Sequence, residues 1–228
     1  MTDSADIDRG MWASLARVRF DPELVDDAID LVQAHLVPGF VAQPGARYGY
    51  WMVNRMNGHA VVVTCWDSRE AIERSRAELG AARAMVIDEL DALLTETGVY
   101  EVLGCASDGV PIGGQHAWSR ITFVEGLPRD VGEPGNDLFR ASRRRYEGCD
   151  GFLSLCWLVD GGPGNGLGIV TWDTEAACTA SEPVGRRTRR EVEKAFGCRI
   201  DSVEEVETLA AAAPSQDVLD LRRPLISH

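Results

Sequence analysis

All six tryptophans of this 228-residue chain fall into three pairs with one separation, 106 positions: Trp12 with Trp118, Trp51 with Trp157, and Trp66 with Trp172. Smaller residues keep the register: Pro22 with Pro128, Gly45 with Gly151, Val53 with Val159, Gly58 with Gly164, Asp67 with Asp173 and Ala71 with Ala177. Tryptophan is scarce, so three coincidences at one spacing mark a tandem duplication. Such self-similarity constrains the architecture before any local pattern does.

Each copy reads as β-α-β-β-α-β. Residues 12–20 have the aromatic and β-branched content of a strand. Asp21-Pro22 supplies an N-cap and a first helical position. Leu24, Ala28, Leu31 and His35 then share one face, beside Val25, Ile29, Val32 and Leu36, giving a helix to about Phe40. Strands at 47–54 and 59–66 are joined by Arg55-Met56-Asn57-Gly58, whose Asn-Gly is a hairpin signal. Asp67-Ser68 caps a second helix with a break at Gly80, predicted to reach about Leu94, and 99–104 is the last strand. The second copy repeats this with strands at 118–125, 151–159, 166–172 and 202–209 and helices near 136–147 and 182–196.

The Gly, Ser and Pro content of 105–115 reads as a linker between modules at 11–104 and 116–209, and 210–228 reads as a tail with an edge strand at 217–226. The order is the ferredoxin-like split βαβ. Such a plait has helices on one face of its sheet. The third strand, 60–66, is nonetheless apolar without clean alternation and reads as buried on both faces. The other copy can supply the second cover. The expected fold class is therefore α+β, with tandem duplicated ferredoxin-like modules packed sheet to sheet as an intrachain pseudo-dimer, monomeric or weakly self-associating.

The net charge of −13 opposes general binding of nucleic acid or anionic membrane. No apolar run approaches the roughly 20 residues of a membrane helix, and the polar, acidic start has no signal-peptide pattern. A cytoplasmic protein is expected. The six cysteines contain no C-x-x-C, and Cys149 and Cys156 lack the His pair a zinc site would need. They are expected to be reduced thiols acting as small buried hydrophobes, with no metal.

The element order and the segment Val62-Val63-Thr64-Cys65-Trp66-Asp67-Ser68-Arg69-Glu70-Ala71 resemble the dimeric α/β-barrel superfamily. The second copy answers with Ile169-Val170-Thr171-Trp172-Asp173-Thr174-Glu175-Ala176. Within that superfamily the chain is most similar to the antibiotic-biosynthesis-monooxygenase branch, over both modules. The resemblance implies a choice among cofactor-independent oxygenases of aromatic polyketides, haem-degrading monooxygenases and proteins without known activity. Haem-degrading members combine a Trp at the Trp66 position with an Asn in the first strand and a His on the second helix. Here the Asn position holds Ala16 and Thr122, and neither second helix carries a His. The polyketide oxygenases need no metal or flavin, because an electron-rich phenolate or carbanion reacts with oxygen directly. The protein has only to bind the ring, deprotonate it and stabilise the anion.

The expectation is a small-molecule pocket, hosting a cofactor-independent monooxygenase of an electron-rich aromatic molecule. The alternative is a non-catalytic ligand-binding or interaction protein that keeps the duplicated fold as scaffold. Trp66 and Trp172 are the candidates for stacking on a ring, Trp66 also as a catalytic wall, against the alternative that both are packing. His35 is the candidate base, with a satisfied, partly buried His as its alternative. Arg17 and Arg47 could each pair with an anionic substrate or with a neighbouring carboxylate. His59 and His116 read as exposed. The glycine-rich run 161–168 lies between strands, with no helix after it, and reads as a hairpin loop. Arg143 to Arg145 and Arg186, Arg187, Arg189 and Arg190 read as solvated helix faces. The first helices diverge most, so one working cavity is expected. The face carrying His35 points to the first copy, with Trp66 lining an open pocket and Trp172 packed.

Overall fold

The computed structural model describes residues 10–107, 117–128, 130–160 and 164–212. His116, the edge strand expected at 217–226 and the first part of the glycine-rich run lie outside these residues. The chain divides into two compact units. The first comprises 11–99, 117 and 206–212, and the second 100–107, 118–128, 130–160 and 164–205.

In the first unit β1 (Trp12–Arg19) is followed by a short 3₁₀ turn, Pro22–Leu24, capped by the Asp21 side chain, which accepts from the Glu23 amide at 2.9 Å. The helix then runs as α1 (Val25–Leu31), a wider π turn (Val32–Leu36) and α2 (Val37–Val41). Pro38 has no N–H to donate and its ring excludes the carbonyl four residues back, so the wider turn forms just before it. Next come β2 (Ala46–Asn54), β3 (His59–Trp66), α3 (Arg69–Glu78) and α4 (Gly80–Glu89). Ser68 caps α3 by accepting from the Ala71 amide at 3.2 Å. β3 is central, antiparallel to β1 from Trp12↔Trp66 to Arg19↔His59, and to β2 on its other side. The outer edge of β2 takes the last part of β8 (Arg199–Ala212), from Gly49↔Ala212 to Val53↔Glu207.

The second unit repeats the pattern with β5 (Trp118–Glu125), α5 (Gly132–Tyr146), β6 (Phe152–Asp160), β7 (Asn165–Trp172), α6 (Glu175–Ala180) and α7 (Glu182–Phe196). Its central strand β7 pairs with β5 from Trp118↔Trp172 to Glu125↔Asn165, the same register as β1 with β3. The duplication is thus written in the strand pairing as well as in the residues. The outer edge of β6 takes the last part of β4 (Leu93–Ser107), from Tyr100↔Asp160 to Ser107↔Ser154.

Several boundaries differ from the sequence reading. The second helix of the first copy stops at Glu89 rather than near Leu94, because Asp91 adopts φ 45°, a left-handed geometry that ends helices. The freed leucines, Leu93 and Leu94, open β4 instead. β4 also continues past Gly104, where the sequence suggests a break. A Cβ on Gly104 would lie 2.8 Å from the Phe139 ring, so this glycine serves close packing inside a continuing strand. β8 runs from Arg199 to Ala212, longer than expected at both ends. The unit boundaries consequently fall inside β4, after Val99, and inside β8, after Glu205. A short helix, α6, precedes α7. The reduced-thiol expectation is corrected at one pair: Cys105 and Cys156 are direct partners across β4 and β6 and are joined as a disulfide. Distant in sequence, they gave no spacing signal. Elsewhere burial pushes the Cys178 thiol up to about 12, in keeping with an unreactive buried residue.

Trp66 and Trp172 end the central strands with no solvent exposure at all. Phe40 meets Trp66 edge-on at 5.1 Å, and Tyr146, its counterpart at the 106-residue offset, meets Trp172 at 6.0 Å. Trp66 Nε1 donates to Thr64 Oγ1 at 3.0 Å. Val170 stands at the equivalent of Thr64, and Trp172 Nε1 has no partner among the described residues. Both rings are core, which corrects the expectation that Trp66 lines an open pocket.

Two outcomes follow. Trp66→Ala and Trp172→Ala should each lose about 3–5 kcal/mol, as packed aromatic residues do; urea melts measure this, and a loss well under that range at either position contradicts the packing. Residues 11–107 expressed alone lack Val206–Ala212 and leave the apolar β2 with a bare edge. They should self-associate or precipitate, and a stable monomer on analytical ultracentrifugation would refute that.

Candidate functional site

The helix of the first unit packs over its sheet along Ala28, Val32, Leu36 and Phe40, a series of every fourth residue carried through the π turn. Between this face, the sheet and α3–α4 lies a cavity of about 390 Å³, within the range of small-molecule sites. Every residue around it belongs to the first unit. The sheet contributes Ser14, Ala16, Val18, Met52, Val62 and Thr64; α4 contributes Val86 and Ile87. Trp51 forms an aromatic wall with Phe40, the rings edge-on at 5.7 Å. Trp51 can lie flat along its own strand only because Gly49 precedes it by two: a Cβ there would sit 2.7 Å from the indole.

The charged residues of this lining, among the described residues, are Arg76 from α3 and Arg83 from α4. The remaining polar groups are the hydroxyls of Ser14, Thr64 and Thr97. Burial is the main cause that depresses the Arg83 guanidinium from its ordinary value, and the like charge of Arg76 adds to it.

The second unit keeps a cavity of about 60 Å³. The offset shows what filled it. The equivalent of Ser14 is Arg120, and its buried side chain spans the gap between sheet and helices. Arg120 donates from Nε to Glu205 Oε1 at 3.0 Å, from Nη1 to Ser181 Oγ at 3.0 Å and from Nη2 to the Cys178 carbonyl at 2.6 Å. Its guanidinium also lies 5.2 Å from the Trp172 ring centroid. With donors on all three nitrogens engaged, Arg120 is a structural plug.

The candidates from sequence are placed as follows. His35 is exposed, because the π turn keeps residues four apart in line and turns the residue before Leu36 outward. Trp66 and Trp172 lie behind the cavity walls, in the core. Arg17 hydrogen-bonds Glu96 at 3.3 Å and Arg47 pairs with Asp67 at 2.5 Å. The structure therefore brings none of these five to the first cavity. The arginine-rich helices are laced by ion pairs, Arg143 with Glu147 and Arg145 and Arg187 both with Glu191. Trp51, Phe40, Arg76 and Arg83 were missed. A residue-by-residue comparison of the copies would have exposed the last two, because Arg76 is replaced by Glu182 while Arg83 is kept as Arg189. Among the described residues no group of three His, Cys, Asp or Glu side chains converges as a metal site would need.

No protein-family model matches the chain. Among curated proteins it is 24% identical over 165 residues to the uncharacterized protein Rv2557 of Mycobacterium tuberculosis, covering 72% of each. Among solved structures it is similar to an anthrone oxidase-like protein, with a TM-score of 0.62 at 11% identity, covering 92% of this chain and 96% of the other. It is also similar to a monooxygenase-like protein from Listeria innocua, with a TM-score of 0.52 at 10% identity, covering 87% and 94%. A ferredoxin-fold protein from Listeria monocytogenes, related to antibiotic biosynthesis monooxygenases, gives 0.51 at 10% identity over 88% and 95%. Among the described residues no helix is long and apolar enough to cross a membrane. At these identities the likeness is one of fold, and the fold of this chain is the ferredoxin-like α+β fold of these structures, in tandem duplication.

Proposed function

We propose that the first unit binds one small aromatic molecule in its cavity, and that this pocket serves a cofactor-independent oxygenation of an electron-rich ring. The cavity itself carries the reading: about 390 Å³ of apolar space walled by Phe40 and Trp51, kept open in one copy and filled in the other. An aromatic guest gains both area burial and edge-on contacts in such a site. Oxygenation without a cofactor requires an ionised ring, and two nearby guanidinium groups favour ionisation of a phenol entering the site. A non-catalytic binder is the second reading. It is favoured by the lining, which among the described residues contains no histidine or carboxylate to take a proton.

Titration with a hydroxynaphthoquinone, followed by quenching of tryptophan fluorescence, should saturate at one ligand per chain. Val62→Trp, which fills the cavity, should abolish the quenching. Binding untouched by Val62→Trp would place the ligand elsewhere. An oxygen electrode with a hydroxyanthrone then separates the two readings: uptake with a quinone product that has gained one oxygen atom and lost two hydrogens, the second oxygen atom leaving as water, supports the oxygenase, and binding without uptake supports the binder.

A further inference from the structure

We infer that Arg76 and Arg83 form an anion-binding pair, so that the molecule held in the first cavity carries a negatively charged group such as a carboxylate, sulfonate or phenolate. The inference rests on the cavity being the ligand site and adds to it the chemical class of the ligand.

The internal repeat supplies the control. Arg189 of the second unit is the counterpart of Arg83, and Glu182 is the counterpart of Arg76. In the second unit the two are a salt bridge, Arg189 Nη2 to Glu182 Oε1 at 2.5 Å. In the first unit the acid of that pair is an arginine. Two cations then face one apolar cavity, and among the described residues neither has a carboxylate within ion-pair distance. The two are close enough to interact: after burial, the charge of Arg76 further disfavours the charged form of Arg83. Arg83 is half-buried and Arg76 reaches solvent, and a partly desolvated cation next to a like charge is disfavoured unless an anion joins them. The second unit meets that requirement with its own glutamate, and the first leaves it open at the wall of a cavity large enough for a guest. Arginine suits the role, because its planar fork offers paired donors to the oxygens of an anion.

The test uses two fluorescent probes of one skeleton, anionic 8-anilinonaphthalene-1-sulfonate and neutral N-phenyl-1-naphthylamine, with the full chain and its Arg76→Glu and Arg83→Leu variants. Wild type should bind the sulfonate more tightly than the neutral amine, and the preference should fall as salt is raised. Both variants should weaken sulfonate binding by about tenfold or more, the scale of losing a charged hydrogen bond. Neither should weaken binding of the neutral amine. Arg76→Glu should also raise the melting temperature, because it recreates the ion pair of the second unit. Equal binding of the two probes by wild type, or a sulfonate affinity that ignores both substitutions, would overturn the anion pair while leaving the cavity reading intact. Binding of neither probe would instead remove the cavity reading on which the inference rests. Neutral-amine binding by each variant reports that its cavity is folded.

Discussion

Trp66 and Trp172 lose all contact with solvent at the ends of the two central strands, and each unit is assembled around its own ring. The indole fixes the register of the first strand, because Trp12 pairs with Trp66 and Trp118 with Trp172. It fixes the first helix through edge contacts to Phe40 and Tyr146. The next residues turn at once into a capped helix, so the second helix is placed by the same anchor. A side chain with this many dependents is under packing constraint first. That is why the duplicated tryptophans persist in both copies, although only one copy keeps a sizeable cavity.

With the frame held constant, a few substitutions decide what each copy contains. Serine at position 14 leaves room under the helices, whereas arginine at 120 occupies it with a guanidinium hydrogen-bonded from all three nitrogens and lying over the indole. Such a charge is tolerated in the interior only because carboxylate, hydroxyl and carbonyl acceptors surround it. At 76 and 182 the exchange runs the other way, and the first unit loses the acid that neutralises its counterpart's arginine. One unit has become a filled scaffold, and the other an apolar chamber with positive charge on its wall.

The order of strands and helices and the hairpins were legible in the sequence because alternation, caps and Asn-Gly turns are local signals, and the repeat let each copy check the other. The ends of β4 and β8 were not. Gly104 carries the local mark of a break, but its meaning comes from the Phe139 ring packed on it. His35 was misplaced by the π turn before Pro38, since a regular helical period cannot register a widened turn. Trp66 drew attention by rarity and position, yet whether an indole faces a cavity or a neighbour is settled by Phe40, which comes from the first helix, while Thr64 two residues earlier in the same strand accepts its N–H. The arginines of the site escaped because a cation on a helix is ordinarily solvated; only its missing acid distinguishes Arg83 from Arg189.

One unit contains an apolar cavity of about 390 Å³, and its duplicate keeps only about 60 Å³ of it. Xenon enters such spaces without needing any polar contact. A crystal pressurised with xenon should show strong density in the first unit between Phe40, Trp51, Val62 and Leu209, and weak or no density beside Trp157 in the second. Xenon collecting in the second unit while the first remains dark would contradict the account.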